Sequence, residues 1–99
     1  MGLTISETAA FADWLRRLRD DRARARIAQR IDRLARGNPG DAAPVGEGVS
    51  ELRINYGPGY RVYFVQRGDA VAILLCGGDK RSQAKDIDTA KRLARDWKG

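Results

Sequence analysis

With 99 residues, 42% of them hydrophobic and 32% charged, the chain has material for one folded domain that buries roughly two thirds of its unfolded surface, and none for a second core. A formal net charge of +6 points to an anionic partner, nucleic acid or an acidic protein segment. One cysteine and no histidine exclude an intrachain disulfide, imidazole acid–base chemistry, Ser-His-Asp and Cys-His sites and a zinc site; no metal and no cofactor is expected, and the setting is read as a reducing cytoplasm.

The first ten residues, MGLTISETAA, have no basic region followed by an apolar stretch, so no secretion signal is expected. The longest apolar run, Ala70 to Cys76, is too short to cross a bilayer, and no membrane partner is expected. Leu3-Thr4-Ile5 alternates like a short edge strand. From Thr8 the period changes: Phe11, Trp14, Leu15 and Leu18 fall at i, i+3, i+4 and i+7 of a helix that Thr8 would cap. Asp20-Asp21 ends that helix or starts the next, because Asp favours the positive end of the helix dipole. The second helix should run from Asp21 to Arg36, with Ala23, Ile27, Ile31 and Leu34 as its buried stripe and Gly37 as its stop. Arg22, Arg26, Arg30 and Arg33 form a basic line beside that stripe. It is either a solvated helix face or a rail for phosphates or an acidic partner.

Gly37 to Gly48 holds four of the eleven glycines and two of the three prolines and reads as a connector. Val49 to Lys80 then reads as three strands joined by glycine turns. Folding around Pro58 sets Ile54 opposite Val62 and Leu52 opposite Phe64 on one face, with Arg53 opposite Tyr63 and Asn55 opposite Arg61 on the other. A type II′ turn at Arg67-Gly68-Asp69-Ala70 would set Phe64 opposite Ile73 and Val62 opposite Leu75. The apolar face Leu52, Ile54, Val62, Phe64, Ile73 and Leu75 is expected to meet the helical hairpin. The opposite face gathers Glu51, Arg53, Asn55, Arg61 and Tyr63. A last helix fits from Ser82 or Asp86 to Lys98. It should cover Leu74 on this second face and leave the Arg53 and Arg61 end open.

The chemistry expected of that end is cationic. Arg53 and Arg61 would be diagonal neighbours roughly 7–8 Å apart, close enough for both guanidinium groups to hold one phosphate. Cys76 would lie opposite Arg61, so the chain leaving the sheet brings Lys80 and Arg81 to the same end. Each cation has a plainer alternative, Arg53 with Glu51 or Glu47 and Arg61 with Asp79, in surface pairs worth about 0–1 kcal/mol. Gathered on one face, however, the cations repel one another unless an anion is expected. Tyr63 either packs on Leu74 or stacks on a base. Trp14 and Trp97 read as core. The glycines after Cys76 lack the spacing of a phosphate loop.

Several segments carry a family resemblance. They are Phe11-x-x-Trp14-Leu15-x-x-Leu18-x-Asp20, Gly37-Asn38-x-Gly40-Asp41 and Gly46-x-Gly48-Val49-x-Glu51-Leu52-Arg53-Ile54, followed by Gly57-x-Gly59-Tyr60-Arg61-Val62-Tyr63-Phe64 and Gly77-Gly78-Asp79-Lys80-x-x-Gln83-x-x-Asp86-Ile87. In this order they resemble the RelE/HigB-like toxins of type II toxin–antitoxin modules, in the branch of addiction-module killer proteins. The resemblance implies an α+β RelE-like fold over residues 1–99, with an N-terminal helical hairpin on a small antiparallel sheet and a C-terminal helix. It implies a ribosome-dependent, metal-independent mRNA endonuclease that inhibits translation. Arg53, Arg61 and Lys80 would be its catalytic residues, and Tyr63, Arg81, Gln83 and Lys85 its RNA contacts. Arg22, Arg26, Arg30 and Arg33 would meet the ribosome or a cognate antitoxin, a small helix-turn-helix protein encoded next door. The proton acceptor stays open among Lys80, Glu51 and Asp79, since the chain lacks the His and C-terminal Tyr of some relatives. Two alternatives share the scaffold: a ParE-like inhibitor of DNA gyrase, and a non-catalytic binding module.

Overall fold

Two side-chain caps start the helical part where the sequence pattern changes period. Thr8 Oγ1 accepts a hydrogen bond from the Phe11 amide at 3.0 Å, and its hydroxyl donates to the Leu75 carbonyl at 2.5 Å, so one side chain both starts a helix and ties it to the sheet. Asp20 accepts from the amides of Arg22 and Ala23 at 3.0 and 3.2 Å and starts the next helix. The computed structural model describes residues 2–98. In chain order these form β1 (Thr4–Glu7), α1 (Ala9–Arg17), α2 (Asp21–Ala35), β2 (Ala42–Gly46), β3 (Val49–Ile54), β4 (Tyr60–Arg67), β5 (Val71–Gly78), a single 3₁₀ turn (Lys80–Ser82) and α3 (Gln83–Asp96).

The strands make one sheet in the order β1-β5-β4-β3-β2, with β1 parallel to β5 and the other neighbours antiparallel. The sheet is therefore mixed, with five strands where three and an edge were expected. The added strand, β2, lies inside the stretch read as a connector. Ala-Ala-Pro-Val carries no alternation to announce a strand, and its pairing is imposed from outside. The Arg53 amide donates to the Asp41 carbonyl at 2.9 Å, and the Arg30 guanidinium donates to the carbonyls of Pro39, Asp41 and Arg53. Pro44 is tolerated because β2 is an edge strand.

The β3–β4 hairpin pairs Leu52 with Val62, Arg53 with Arg61 and Ile54 with Tyr60. This is two residues from the expected register, so every side chain keeps its expected face. The next hairpin differs by one residue, and there the faces change. Its loop has three residues, Gly68 to Ala70, rather than the two of a type II′ turn, so Arg67 pairs with Val71, Val65 with Ile73 and Phe64 with Leu74. A bulge at Leu75 then sets Tyr63 opposite Cys76 and Arg61 opposite Gly78, two residues from the expected pairing of Arg61 with Cys76. Ile73 and Leu75 thus face away from the hairpin, and Leu74 faces it, the reverse of the expectation.

Both faces of the sheet are covered. Phe11, Ile27 and Leu34 from α1 and α2 pack with Leu52, Ile54, Val62, Phe64, Ala72 and Leu74. On the opposite face Val49, Tyr63, Val65, Ile73, Leu75 and Cys76 pack with Ala90 and Ala94 of α3. The second face is therefore mostly core, and only its Arg53–Arg61 end stays open. The Gly77–Gly78 pair serves packing: a Cβ at Gly77 would run into the Trp14 ring, and one at Gly78 into the Asp86 carboxylate.

Candidate functional site

At that open end a cleft of about 460 Å³ is lined by Arg53, Arg61 and Lys80 together with Asp41, Asn55 and the Gly57–Gly59 turn. Strand pairing builds its floor. Because the Arg53 amide points to β2, Arg53 and Arg61 form a non-hydrogen-bonded pair across β3 and β4, the closer kind, with Cα atoms about 4.5 Å apart. They are direct partners rather than the diagonal neighbours expected. Like charges so placed repel. The compensation is Glu51, two residues before Arg53 on the same face and only 1% exposed. Its carboxylate accepts from Arg53 Nε at 2.9 Å and from Gln83 Nε2 at 3.0 and 3.3 Å, while Arg61 Nε stands 3.9 Å away.

The two arginines differ in freedom. Arg61 is 8% exposed, donates through Nη1 to the carbonyls of Gly59 and Tyr60 at 3.2 and 3.3 Å, and leaves its buried Nε unpartnered. The Arg53 side chain is 43% exposed, and the hydrogen bond to Glu51 raises its already high pKa. Lys80 lays its methylene chain over Gly59, where φ is +80°, a conformation that favours glycine, and where a Cβ would press on that chain at 3.0–3.1 Å. Lys80 opens the 3₁₀ turn that Asp79 caps by accepting from the Arg81 amide at 2.8 Å. Partial burial pushes the Asp79 carboxyl up, but the Arg81 hydrogen bonds outweigh it and hold the group below its usual range. Asp79 is thereby a poor proton acceptor.

Other expected site residues lie elsewhere. Tyr63 is fully buried, and burial pushes its phenol pKa up; the ring offers no face to a base, and it packs with Ile73 and Leu75 rather than Leu74. Gln83 is turned inward onto Glu51. Arg81 is exposed and pairs with Asp79 at 3.4 Å, and Lys85 is exposed on α3. The buried Cys76 thiol is pushed up to about 12 by burial and by Asp86, which leaves it unreactive near neutral pH. Among the described residues, no group of three or more His, Cys, Asp or Glu side chains is placed to hold a metal ion.

The basic line on α2 loses one member. Arg30 is half-buried in carbonyl contacts, and burial together with Arg33 lowers its pKa, so it is a structural tie for β2 and β3. Nothing local in the sequence marks it, because its partners lie up to 23 residues away. Arg22, Arg26 and Arg33 remain exposed. The neighbouring acids are engaged otherwise: Asp21 with Arg24 at 2.6 Å, Asp32 with Arg36 at 3.1 Å, and Asp13 with Arg16. Arg26 sits 4.9 Å above the Tyr56 ring, whose hydroxyl donates to Asp20 at 3.1 Å. A second hollow, about 400 Å³, lies between Leu34, Phe64 and Pro44, and Asp69 is the one charged residue lining it. Charge is concentrated in the first cleft, not here.

Residues 13–95 match the family model described as phage derived protein Gp49-like. The chain belongs to the Gp49-like family. A relative of this Gp49-like protein in Haemophilus influenzae, itself named only as an uncharacterised protein, is 49% identical over 96 residues, which is 97% of each chain. Among solved structures, a mutant of the E. coli toxin RelE in its free state superposes with a TM-score of 0.75 over 98% of this chain and 100% of that one, at 11% identity. At that identity the likeness establishes the fold: the Gp49-like chain has the RelE fold, an α+β sheet with N-terminal helices on one face and a C-terminal helix on the other. None of its helices, among the described residues, is long and apolar enough to cross a membrane.

Proposed function

We propose that this Gp49-like protein is the toxin of a type II toxin–antitoxin module, HigB-like in kind, that cleaves mRNA on the ribosome without a metal ion and so stops translation in the cytoplasm. The observation that carries this reading is the convergence of Arg53, Arg61 and Lys80 on one open cleft. Such a cluster suits an RNA phosphodiester. A ribose 2′-oxygen attacks the adjacent phosphorus, the bond from phosphorus to the 5′-oxygen breaks, and a 2′,3′-cyclic phosphate and a 5′-hydroxyl result. Negative charge on the two non-bridging oxygens is greatest in the phosphorane, where fixed guanidinium donors stabilise it more than they stabilise the ground state. Arg61 and Arg53 take that role. Lys80, at the rim, gives a proton to the departing 5′-oxygen, and the 2′-hydroxyl proton leaves to water in the open cleft. Arg81, next to Lys80, and Lys85, exposed on α3, would meet flanking phosphates. The three exposed arginines of α2 would steer docking to the ribosome or to a cognate antitoxin, a small helix-turn-helix protein encoded alongside.

The test is purified wild-type protein added to ribosomes programmed with a defined mRNA, in the presence of a chelator, with cleavage read by primer extension. Codon-phased cuts ending in a cyclic phosphate are expected. Intact mRNA with failing DNA supercoiling would overturn the reading in favour of a gyrase inhibitor; intact mRNA with both processes unaffected would leave a binding module.

A further inference from the structure

We infer that Glu51 and Gln83 are positioning residues that aim the Arg53 guanidinium into the cleft, a role that rests on the endonuclease reading of that cleft. Glu51 is the one acid buried beneath it, 1% exposed, with both carboxylate oxygens occupied. A buried carboxylate persists only where its lone pairs are satisfied, and here the donors come from two directions. Arg53 Nε donates at 2.9 Å from the same strand, and the Gln83 amide donates at 3.0 and 3.3 Å from α3, 32 residues along the chain. An ionised carboxylate only accepts, so the Gln83 nitrogen, not its oxygen, faces it.

This arrangement decides what Arg53 can do. Arginine is rotamer-rich, and its five N–H groups lie in one plane. With Nε fixed on Glu51, that plane is set. Nη1 stands 3.7 Å from Asp41, beyond hydrogen-bond length, and the side chain is 43% exposed, so its terminal nitrogens remain for a ligand. Glu51 itself is sealed from the cleft, which removes it as the proton acceptor. Gln83 contacts no ligand in this scheme; it acts through Glu51 on Arg53. The second half of the arrangement is held at the start of α3, where the Ser82 hydroxyl of the preceding 3₁₀ turn donates to Asp86 beside Gly78.

The charged and titratable groups around Glu51 are Arg53 on its own strand and Arg61 and Tyr63 on β4, with Asp86 reaching Tyr63 from α3. The isosteric change Gln83→Glu replaces a donor to Glu51 by a second acceptor that competes for Arg53 Nε at unchanged side-chain size, so this variant should lose kcat as Gln83→Ala does.

The experiment compares wild type, Gln83→Ala and Gln83→Glu in ribosomal mRNA cleavage, and follows the Arg53 Nε–Hε signal by NMR in the free protein. The expected result is kcat lowered about tenfold or more in both variants with KM within about twofold, and a shifted and faster-exchanging Arg53 signal. An unchanged kcat, a raised KM at constant kcat as for a direct RNA contact, or an unmoved Arg53 signal would overturn it. If wild type itself leaves mRNA intact, the endonuclease reading falls separately, and the NMR arm still decides whether Gln83 holds Arg53 through Glu51.

Discussion

In the cleft, Arg61 is buried against the carbonyls of Gly59 and Tyr60 and Arg53 is tied to a buried carboxylate, whereas on α2 Arg22, Arg26 and Arg33 are exposed and no acid forms an ion pair with them among the described residues. Both regions are cationic, yet they suit different work. Donors whose orientation is fixed before a ligand arrives add to transition-state stabilisation, since no reorganisation is needed at the moment of reaction. Exposed surface arginines are screened by salt and gain little from any one contact, but they raise the rate of encounter with a polyanion. Arg30 shows the boundary: one residue of the α2 line turned inward has become a tie between loop and strand.

The largest test of the contrast is Arg61→Ala. Removal of one preorganised donor should lower cleavage about 10²–10³-fold, with the folded CD spectrum retained. Cleavage within about threefold of wild type would show that the fixed donors do not carry the chemistry. Replacing Arg22, Arg26 and Arg33 together by Gln should act on the other quantity. Association with ribosomes should slow about tenfold and lose much of its salt dependence, while the rate of cleavage once bound stays the same. Stopped-flow across salt concentrations separates the two, and a loss in the bound-state rate instead would merge the regions.

A smaller effect concerns the turn that presents Lys80. The Asp79 carboxyl is held below its usual range in the folded state, so its capping contribution is fully present above its unfolded pKa, near 3.9, and is lost as pH falls through the lower folded value. Urea unfolding from about pH 6 to about pH 2 should show a difference between wild type and Asp79→Asn that shrinks towards the acid end. A constant difference would deny the cap its charge. The smallest change is expected from Tyr63→Phe. The Tyr63 hydroxyl is buried without a partner, so its removal should raise stability by up to about 1 kcal/mol and leave RNA cleavage unaltered. A clear loss of cleavage would return Tyr63 to the site.

Much of the cleft was legible before folding. Arg53 and Arg61 fall on one face by strand alternation alone, and Lys80 follows the last strand closely enough to reach them. What the sequence could not supply is the acid beneath them: Glu51 reads as an exposed partner of Arg53, and its burial depends on α3 bringing Gln83 across the sheet. Gln83 and Tyr63 were expected at the RNA because their residue types suit it, but Tyr63 is buried and the Gln83 amide is turned onto Glu51.

The chain by itself determined the caps at Thr8 and Asp20, the buried stripes of α1 and α2 and the face of each β3 and β4 residue, because these are short-range periodicities that the backbone imposes within a turn or a strand. Tertiary structure alone decided which face of β5 looks towards the hairpin, since a single extra loop residue at Gly68–Ala70 inverts the strand and the bulge at Leu75 partly restores it. It also decided that Ala42–Gly46 is a strand and that Arg30 is a tie. In each case the deciding partners lie far along the chain, and the free energy that selects them comes from burying both faces of one sheet at once, which no local window contains.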